Sequence, residues 1–327
     1  MSDKQLTEYV KALADGDFTR IADSFSGSGF SVQMPARGIL QATRPGMRAR
    51  LLLSVGIHGD ETAPVEMLGQ LLSRLTQAPH ALAVDLMIVV GNPAAIAQGK
   101  RYLDADLNRM FSAQAQMHED TLEAKRADEI MRATAAFFTD MARENWHLDL
   151  HSAIRPSHYP SFAVVPGIIA SSRKQTLLGW LGHAGIGAAI LNGKAAATYS
   201  AYTASVFGAA SATLELGQVG KLGSNDMSRF AAAFAALDGF LRSGQAQAGG
   251  AMPHLFKVTQ ELIKHSERFR FSFDRDAWNF TPMRQGTVIA EDDELVYRVV
   301  EDTEYVVFPN PDVRNGLRAG LMVARVE

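Results

Sequence analysis

The chain has 327 residues, 47% of them apolar, enough to bury a sizeable core in one large domain or in a large domain with a smaller appendage. Its 32 basic and 35 acidic residues leave a formal charge of −3, which excludes a global field for nucleic acid or an anionic membrane, so an anionic ligand has to be met by local arginines. Cysteine is absent, which excludes disulfides and thiolate metal ligands and restricts any metal site to His, Asp, Glu and water.

Residues 4–14 read as a short helix, and a Gly/Ser stretch at 26–29 separates it from strand-like alternation at 30–34, after which a hairpin is expected. No apolar h-region opens the chain, and no run reaches eighteen apolar residues, so a cytoplasmic protein with no membrane contact is expected. Residues 50–55 read as a buried strand, 63–75 as a helix and 85–90 as a second buried strand, which together form a crossover unit. The near-helical spacing of Ile130, Ala133, Phe137, Phe138 and Met141 predicts a long helix over 119–145, followed by a strand at 146–150. Further strands are expected at 161–166 and 211–216, with helices at 175–184 and 225–241.

The Gly, Ala and Gln-rich segment 244–253 has the composition of a linker. The expected division is therefore an α/β domain over 1–243 and a smaller β-rich domain over 254–327, whose strand-like runs lie at 255–262, 269–273, 287–290 and 305–308. The apolar helix faces can serve a core as readily as a homo-oligomer contact, so the oligomeric state is not legible.

The segment Gly56-Ile57-His58-Gly59-Asp60-Glu61 places an imidazole and a carboxylate three residues apart directly after the apolar run 51–55. Read alone, it is either half of a metal site at a strand end or a tight turn of solvated polar residues. A tetrahedral Zn²⁺ in a hydrolase typically takes three protein ligands, often two His and a carboxylate, and keeps one position open. His151, which also follows an apolar run and has Asp149 two positions before it, is the candidate third ligand. Ligands in open α/β sheets gather at such strand ends. Asn108-Arg109, in the polar stretch 101–109, could hold a substrate carboxylate by charge-assisted contacts, or simply lie on an exposed loop. Glu215, in Thr213-Leu214-Glu215-Leu216, is either a solvent-facing strand residue or a buried carboxyl whose ionisation is costly.

These residues, in this order over about 50–220 and with a β-rich tail after them, resemble the zinc carboxypeptidase superfamily and, within it, the succinylglutamate desuccinylase and aspartoacylase branch. The resemblance implies a carboxypeptidase-like mixed central sheet flanked by helices, one Zn²⁺ held by His58, Glu61 and His151, and a catalytic glutamate at Glu215. It further implies a carboxylate clamp at Asn108 and Arg109, an oxyanion-stabilising Arg101, and Asp106 as the carboxylate that supports His58. Arg155, close in sequence to His151, is a candidate second carboxylate contact, whereas no motif selects among Tyr199, Tyr202 and Tyr305 for a substrate tyrosine. The implied activity is zinc-dependent hydrolysis of the amide of a small N-acyl amino acid, N-succinyl-L-glutamate, in arginine catabolism. The alternatives are an aspartoacylase-like deacylase of another N-acyl amino acid and a non-catalytic metal- or ligand-binding protein on the same fold.

Overall fold

The computed structural model describes residues 3–112 and 120–326, with the side chains of residues 3–6 left aside. The chain opens with helices α1 (Asp3–Asp15) and α2 (Thr19–Ser26), the hairpin β1 (Ser31–Ala36) and β2 (Ile39–Thr43), and strand β3 (Ala49–Val55). There follow α3 (Ala63–Leu75), β4 (Asp85–Val90), the short α4 (Pro93–Ala97), α5 (Leu122–Phe137), β5 (Glu144–Ala153) and β6 (Ser161–Pro166). Next come α6 (Ser171–His183), β7 (Ala188–Asn192), α7 (Tyr199–Phe207), β8 (Ala210–Gln218) and α8 (Ala231–Ser243). The remainder is β9 (His254–Ile263), β10 (Arg270–Phe271), β11 (Thr281–Arg284), β12 (Val288–Asp292), β13 (Leu295–Arg298), β14 (Thr303–Val307) and β15 (Arg318–Arg325).

A mixed sheet of 12 strands, in the order β1-β2-β4-β3-β5-β8-β6-β7-β9-β15-β14-β11, runs through the molecule, and β10, β12 and β13 form a second, 3-stranded sheet. At its centre β4, β3, β5 and β8 are parallel, so their carboxyl ends open on one edge. Both faces of β3 and β4 are covered, which is why these two read as nearly continuous apolar runs. Leu51 and Leu53 pack under α3, α6 and α8 with Leu68, Trp180 and Phe240, while Leu52 points to the other side, where Ile130 and Phe137 of α5 and Tyr199 and Phe207 of α7 close the core. The period-2 alternation of strand side chains thus divides one apolar run between two cores.

The expected mixed α/β architecture with a β-rich C-terminal part is what the molecule adopts. One helix is shorter than its spacing predicts: α5 ends at Phe137, Phe138 leaves the helical region at φ −89° and ψ 52°, and Met141 is exposed. Phe138 still packs against Phe137 and Phe207, so the apolar spacing continues after the backbone has turned away. The expected start at Glu119 lies outside the described residues. Helix α2, helix α7 and strands β7, β11, β13 and β15 are elements that no expectation covered. The linker-like segment 244–253 packs on α6, with Gly249 N–H donating to Gly179 O, and β9 then pairs in parallel with β7 over Ala188–Leu191. No helix among the described residues is long and apolar enough to cross a membrane.

Candidate active site and metal centre

Three neighbouring strands deliver the candidate residues to one place. After β3 the chain turns at Gly56, whose φ of +59° is left-handed and suits a residue without a Cβ. At Gly59 a Cβ would lie 2.4 Å from the backbone of Ala95 and Ile96 and 2.6 Å from Lys100 O, so glycine is required for close packing against the segment that carries Arg101. Gly59 N–H donates to Arg101 O at 3.0 Å, which ties the two segments together. Strand β5 brings His151 and strand β8 brings Glu215 as cross-strand partners. Leu148, Leu150, Leu214 and Leu216 point into the opposite core, so His147, Asp149, His151, Thr213 and Glu215 share the face covered by α7.

His58, Glu61 and His151 are buried, and their ligand atoms lie within 4.8 Å of one another. His58 Nδ1 is 2.7 Å from Glu61 Oε1 and His151 Nδ1 is 2.8 Å from Glu61 Oε2. The far nitrogens are held as well: His58 Nε2 is 2.9 Å from Asp106 Oδ1, and His151 Nε2 is 3.0 Å from Asp149 Oδ2. Carboxylates behind ligating imidazoles fix the tautomer and ring orientation and raise ligand basicity. This donor set, two nitrogens and one carboxylate converging with their supports in place, fits a divalent cation. Among the described residues it is the group that could hold one.

Below it runs a buried chain of hydroxyls. Ser54 Oγ donates to Asp149 Oδ1 at 2.5 Å and lies 2.8 Å from His147 Nε2, while His147 Nδ1 is 2.8 Å from Thr203 Oγ1. Burial holds the pKa of His147 down at about 4, against the pull of Asp149, so the ring is neutral at pH 7. Burial also opposes ionisation of Glu61, yet the adjacent His58 and His151 overrule it and keep the carboxyl well below its usual range. Glu215 is different. Burial first, and then the Glu61 charge, raise its pKa to about 7, and its Oε2 is buried with no hydrogen-bond partner.

The polar loop between α4 and α5 reaches this cluster from the side. Arg101 Nη1 donates to Glu61 Oε1 at 2.8 Å and Nη2 lies 3.1 Å from His58 Nε2. Asp106 Oδ1 also accepts the Asn108 N–H at 2.9 Å, and Asn108 Oδ1 accepts the Tyr199 N–H at 3.0 Å, which docks the loop on the first turn of α7. Arg109 is exposed and donates to Asn108 O at 2.9 Å. Buried Glu123 supports the loop from below, accepting the N–H groups of Leu103 at 2.8 Å, Asp104 at 3.1 Å and Ala105 at 3.1 Å, together with Asn92 Nδ2 at 3.0 Å.

The structure thus brings together His58, Glu61, His151, Glu215, Arg101 and Asp106, with Asn108 and Arg109 on the same loop. Arg155 stands apart: its guanidinium donates to Pro309 O at 3.3 Å and to Arg275 O, so it staples the loop after β5 to the C-terminal strands and has no contact with the cluster. Tyr199 is core rather than pocket, since its hydroxyl is bonded to Thr134 Oγ1 at 2.6 Å and its ring stacks on Phe111. Sequence reasoning missed Ser54, His147 and Glu123. Alternate polar positions 147, 149 and 151 in an apolar strand were a legible signal for His147, and a lone hydroxyl inside the apolar run 51–55 for Ser54, whereas nothing local distinguishes Glu123 from a surface helix residue.

Residues 48–241 match the family described as the succinylglutamate desuccinylase/aspartoacylase catalytic domain, and residues 251–326 match the AstE/AspA barrel-sandwich hybrid domain. The succinylglutamate desuccinylase of Burkholderia orbicola (strain AU 1054) is 41% identical over 284 residues, covering 86% of this chain and 83% of its own. That of Burkholderia lata is 42% identical over 278 residues, covering 84% and 79%. Among solved structures, the succinylglutamate desuccinylase of Vibrio cholerae superposes with a TM-score of 0.85 at 29% identity, covering 94% of both chains. The enzyme of the same name from Chromobacterium violaceum superposes with a TM-score of 0.80 at 32% identity, covering 94% of this chain and 98% of the other. Two adjoining domain matches, relatives at about two-fifths identity and the shared fold agree, and on them the chain belongs to the succinylglutamate desuccinylase/aspartoacylase family.

Proposed function

We propose that the protein is a zinc-dependent amidohydrolase that cleaves N-succinyl-L-glutamate to succinate and L-glutamate, with His58, Glu61 and His151 as zinc ligands. The relatives quoted above carry that activity in their names, and the observation that carries the reading here is Glu215: a buried carboxyl with an unpartnered oxygen beside the ligand cluster. Zinc held there would supply Lewis-acid polarisation of the acyl carbonyl and lower the pKa of a water molecule.

The chain's own residues do the rest. Glu215, with its pKa raised to about 7 by burial, accepts a proton from the attacking water and delivers it to the leaving amine nitrogen. A carboxyl at its ordinary value would be a weaker base in the first step and would be ionised too fully to serve as acid in the second. Arg101 presents its guanidinium to the oxygen that gains negative charge as the carbonyl carbon becomes tetrahedral. Asn108 and Arg109 hold a carboxylate of the substrate, with Glu123 fixing the loop that carries them. Asp106 and Asp149 keep the two imidazoles turned so that Nδ1 of each faces Glu61. In this reading residues 1–243 form the catalytic unit and 254–327 a unit that borders the entrance, and the reaction takes place in the cytoplasm during arginine breakdown.

The test measures bound metal together with glutamate release from N-succinyl-L-glutamate, with N-acetyl-L-aspartate as the second substrate. About one zinc per chain and hydrolysis of the succinyl compound at a kcat/KM far above that of the acetyl compound are expected. The reverse preference would move the assignment to an aspartoacylase-like deacylase, and bound metal with no hydrolysis of either would refute the catalytic reading.

A further inference from the structure

We propose that Ser54 and His147 are positioning residues for the metal centre: they pass hydrogen bonds in one direction to Asp149, whose other oxygen holds His151 in the orientation that a metal requires. This rests on the ligand set given under Proposed function.

The chain of contacts starts on β8 and ends at His151. Ser211 Oγ lies 2.8 Å from Thr203 Oγ1 of α7, which lies 2.8 Å from His147 Nδ1. His147 Nε2 is 2.8 Å from Ser54 Oγ, Ser54 Oγ is 2.5 Å from Asp149 Oδ1, and Asp149 Oδ2 is 3.0 Å from His151 Nε2. Ser54 and Asp149 are cross-strand partners on β3 and β5, as His147 and Ser211 are on β5 and β8, so the parallel register of three strands sets the spacing. Ser54, His147, Asp149, Thr203 and Ser211 are 0% exposed and His151 is 2% exposed, so a member that loses its partner meets no bulk water to replace it.

Counting protons gives the chain its direction. A carboxylate only accepts, so the single proton of the Ser54 hydroxyl goes to Asp149 Oδ1. Ser54 Oγ then meets His147 Nε2 with a lone pair, and Nε2 carries the proton. The ring is neutral at pH 7, which leaves Nδ1 as an acceptor, and Thr203 donates to it. With its proton spent there rather than on Ser200 O at 3.1 Å or Tyr199 O at 3.3 Å, Thr203 accepts from Ser211. The opposite tautomer would set two acceptors, His147 Nε2 and Asp149 Oδ1, against one hydroxyl proton and leave one of them unpaired in a buried place. The consequence falls on the far end of the chain. Because Ser54 occupies Oδ1, the Asp149 carboxylate loses a bond if it turns, and Oδ2 stays aimed at His151 Nε2–H. A proton on Nε2 leaves His151 Nδ1, 2.8 Å from Glu61 Oε2, with the lone pair that a metal takes. His58 is fixed by other means, since its carboxylate, Asp106, sits on a loop and is braced by the Asn108 N–H.

Ser54→Ala removes the hydroxyl and little else. Zinc affinity measured by chelator competition should fall about ten- to a hundred-fold, the range for loss of a group that supports a metal ligand, while the variant keeps a cooperative thermal transition. The imidazole nitrogen NMR spectrum of the metal-free wild-type protein should show His147 protonated at Nε2 and not at Nδ1, a signature that packing alone does not produce. His147→Gln, whose side-chain amide donates where Nε2 does, should retain most of the zinc affinity that His147→Leu loses. If Ser54→Ala or His147→Leu unfolds, the glutamine variant and the nitrogen spectrum decide. Wild-type zinc affinity in folded Ser54→Ala, or a His147 protonated at Nδ1, overturns the proposal. A wild-type protein that binds no metal refutes the ligand set instead, and the spectrum of the metal-free protein still decides the direction of the chain.

Discussion

The buried centre and the cationic rim of this site are built in opposite ways. In the centre, His58, His151, Glu61, Asp149, Ser54 and His147 are each held by defined hydrogen bonds, mostly from strands of the central sheet. On the rim, Arg109 comes from the polar loop between α4 and α5, exposed and donating to the carbonyl of its neighbour Asn108. The contrast teaches that geometry for the chemistry is set by the strands of the sheet, whereas the rim is carried on a loop. Glu215 stands between the two regimes, as buried as the centre and as underpartnered as the rim.

The largest expected effect comes from breaking the centre at that point. Glu215→Gln keeps the shape and removes the proton carrier, so kcat should fall by about 10²–10⁴-fold while metal content and KM stay near wild type, measured by single-substrate kinetics and metal analysis. Near wild-type turnover would remove Glu215 from the mechanism. A smaller effect should appear in stability. His147 has its pKa lowered to about 4 in the folded state, so on acidification the unfolded chain takes up a proton near pH 6.5 that the folded chain refuses until about pH 4. Its contribution is full above pH 6.5 and is lost as pH falls to about 4, a change on the order of 3 kcal/mol. Denaturant unfolding of metal-stripped protein between pH 4 and 7 should show this slope, and His147→Gln should flatten it; parallel slopes would place the acid sensitivity elsewhere. Smaller again is the effect of loosening one support: Asp106→Asn should weaken metal affinity about 10- to 100-fold, and chelator competition that finds no change would argue against Asp106 as an anchor of His58.

Much of the centre was legible because its residues are exceptions within strong patterns. His58 and Glu61 follow a mostly apolar run, and His151 and Glu215 interrupt or end others, so each stood out against a buried strand. The C-terminal strands were less legible for a physical reason. Arg318 begins the apolar run Ala319–Ala324, a signal for a buried strand that sequence reasoning passed over, but the place of that strand between β9 and β14 depends on non-local pairing. Arg155 shows the converse, since it is close to His151 in sequence and yet spends its guanidinium on carbonyls of the C-terminal part. Helix α7 escaped notice because its two faces differ little in composition: the buried face of Tyr199, Ser200, Thr203, Ala204 and Phe207 carries hydroxyls, while Val206 is exposed, so the apolar periodicity that marks a surface helix is blurred.

The parallel pairing of β9 with β7 has one further consequence. Without β9, strand β7 would present the ladder groups of Ala188–Leu191 as an open apolar edge, a template for pairing with another chain. A chain still emerging during synthesis, or one cut within 244–253, carries that edge uncovered until the last strands arrive. The C-terminal part therefore covers an edge of its own polypeptide that would otherwise invite aggregation, and a chain truncated there should be lost to insolubility.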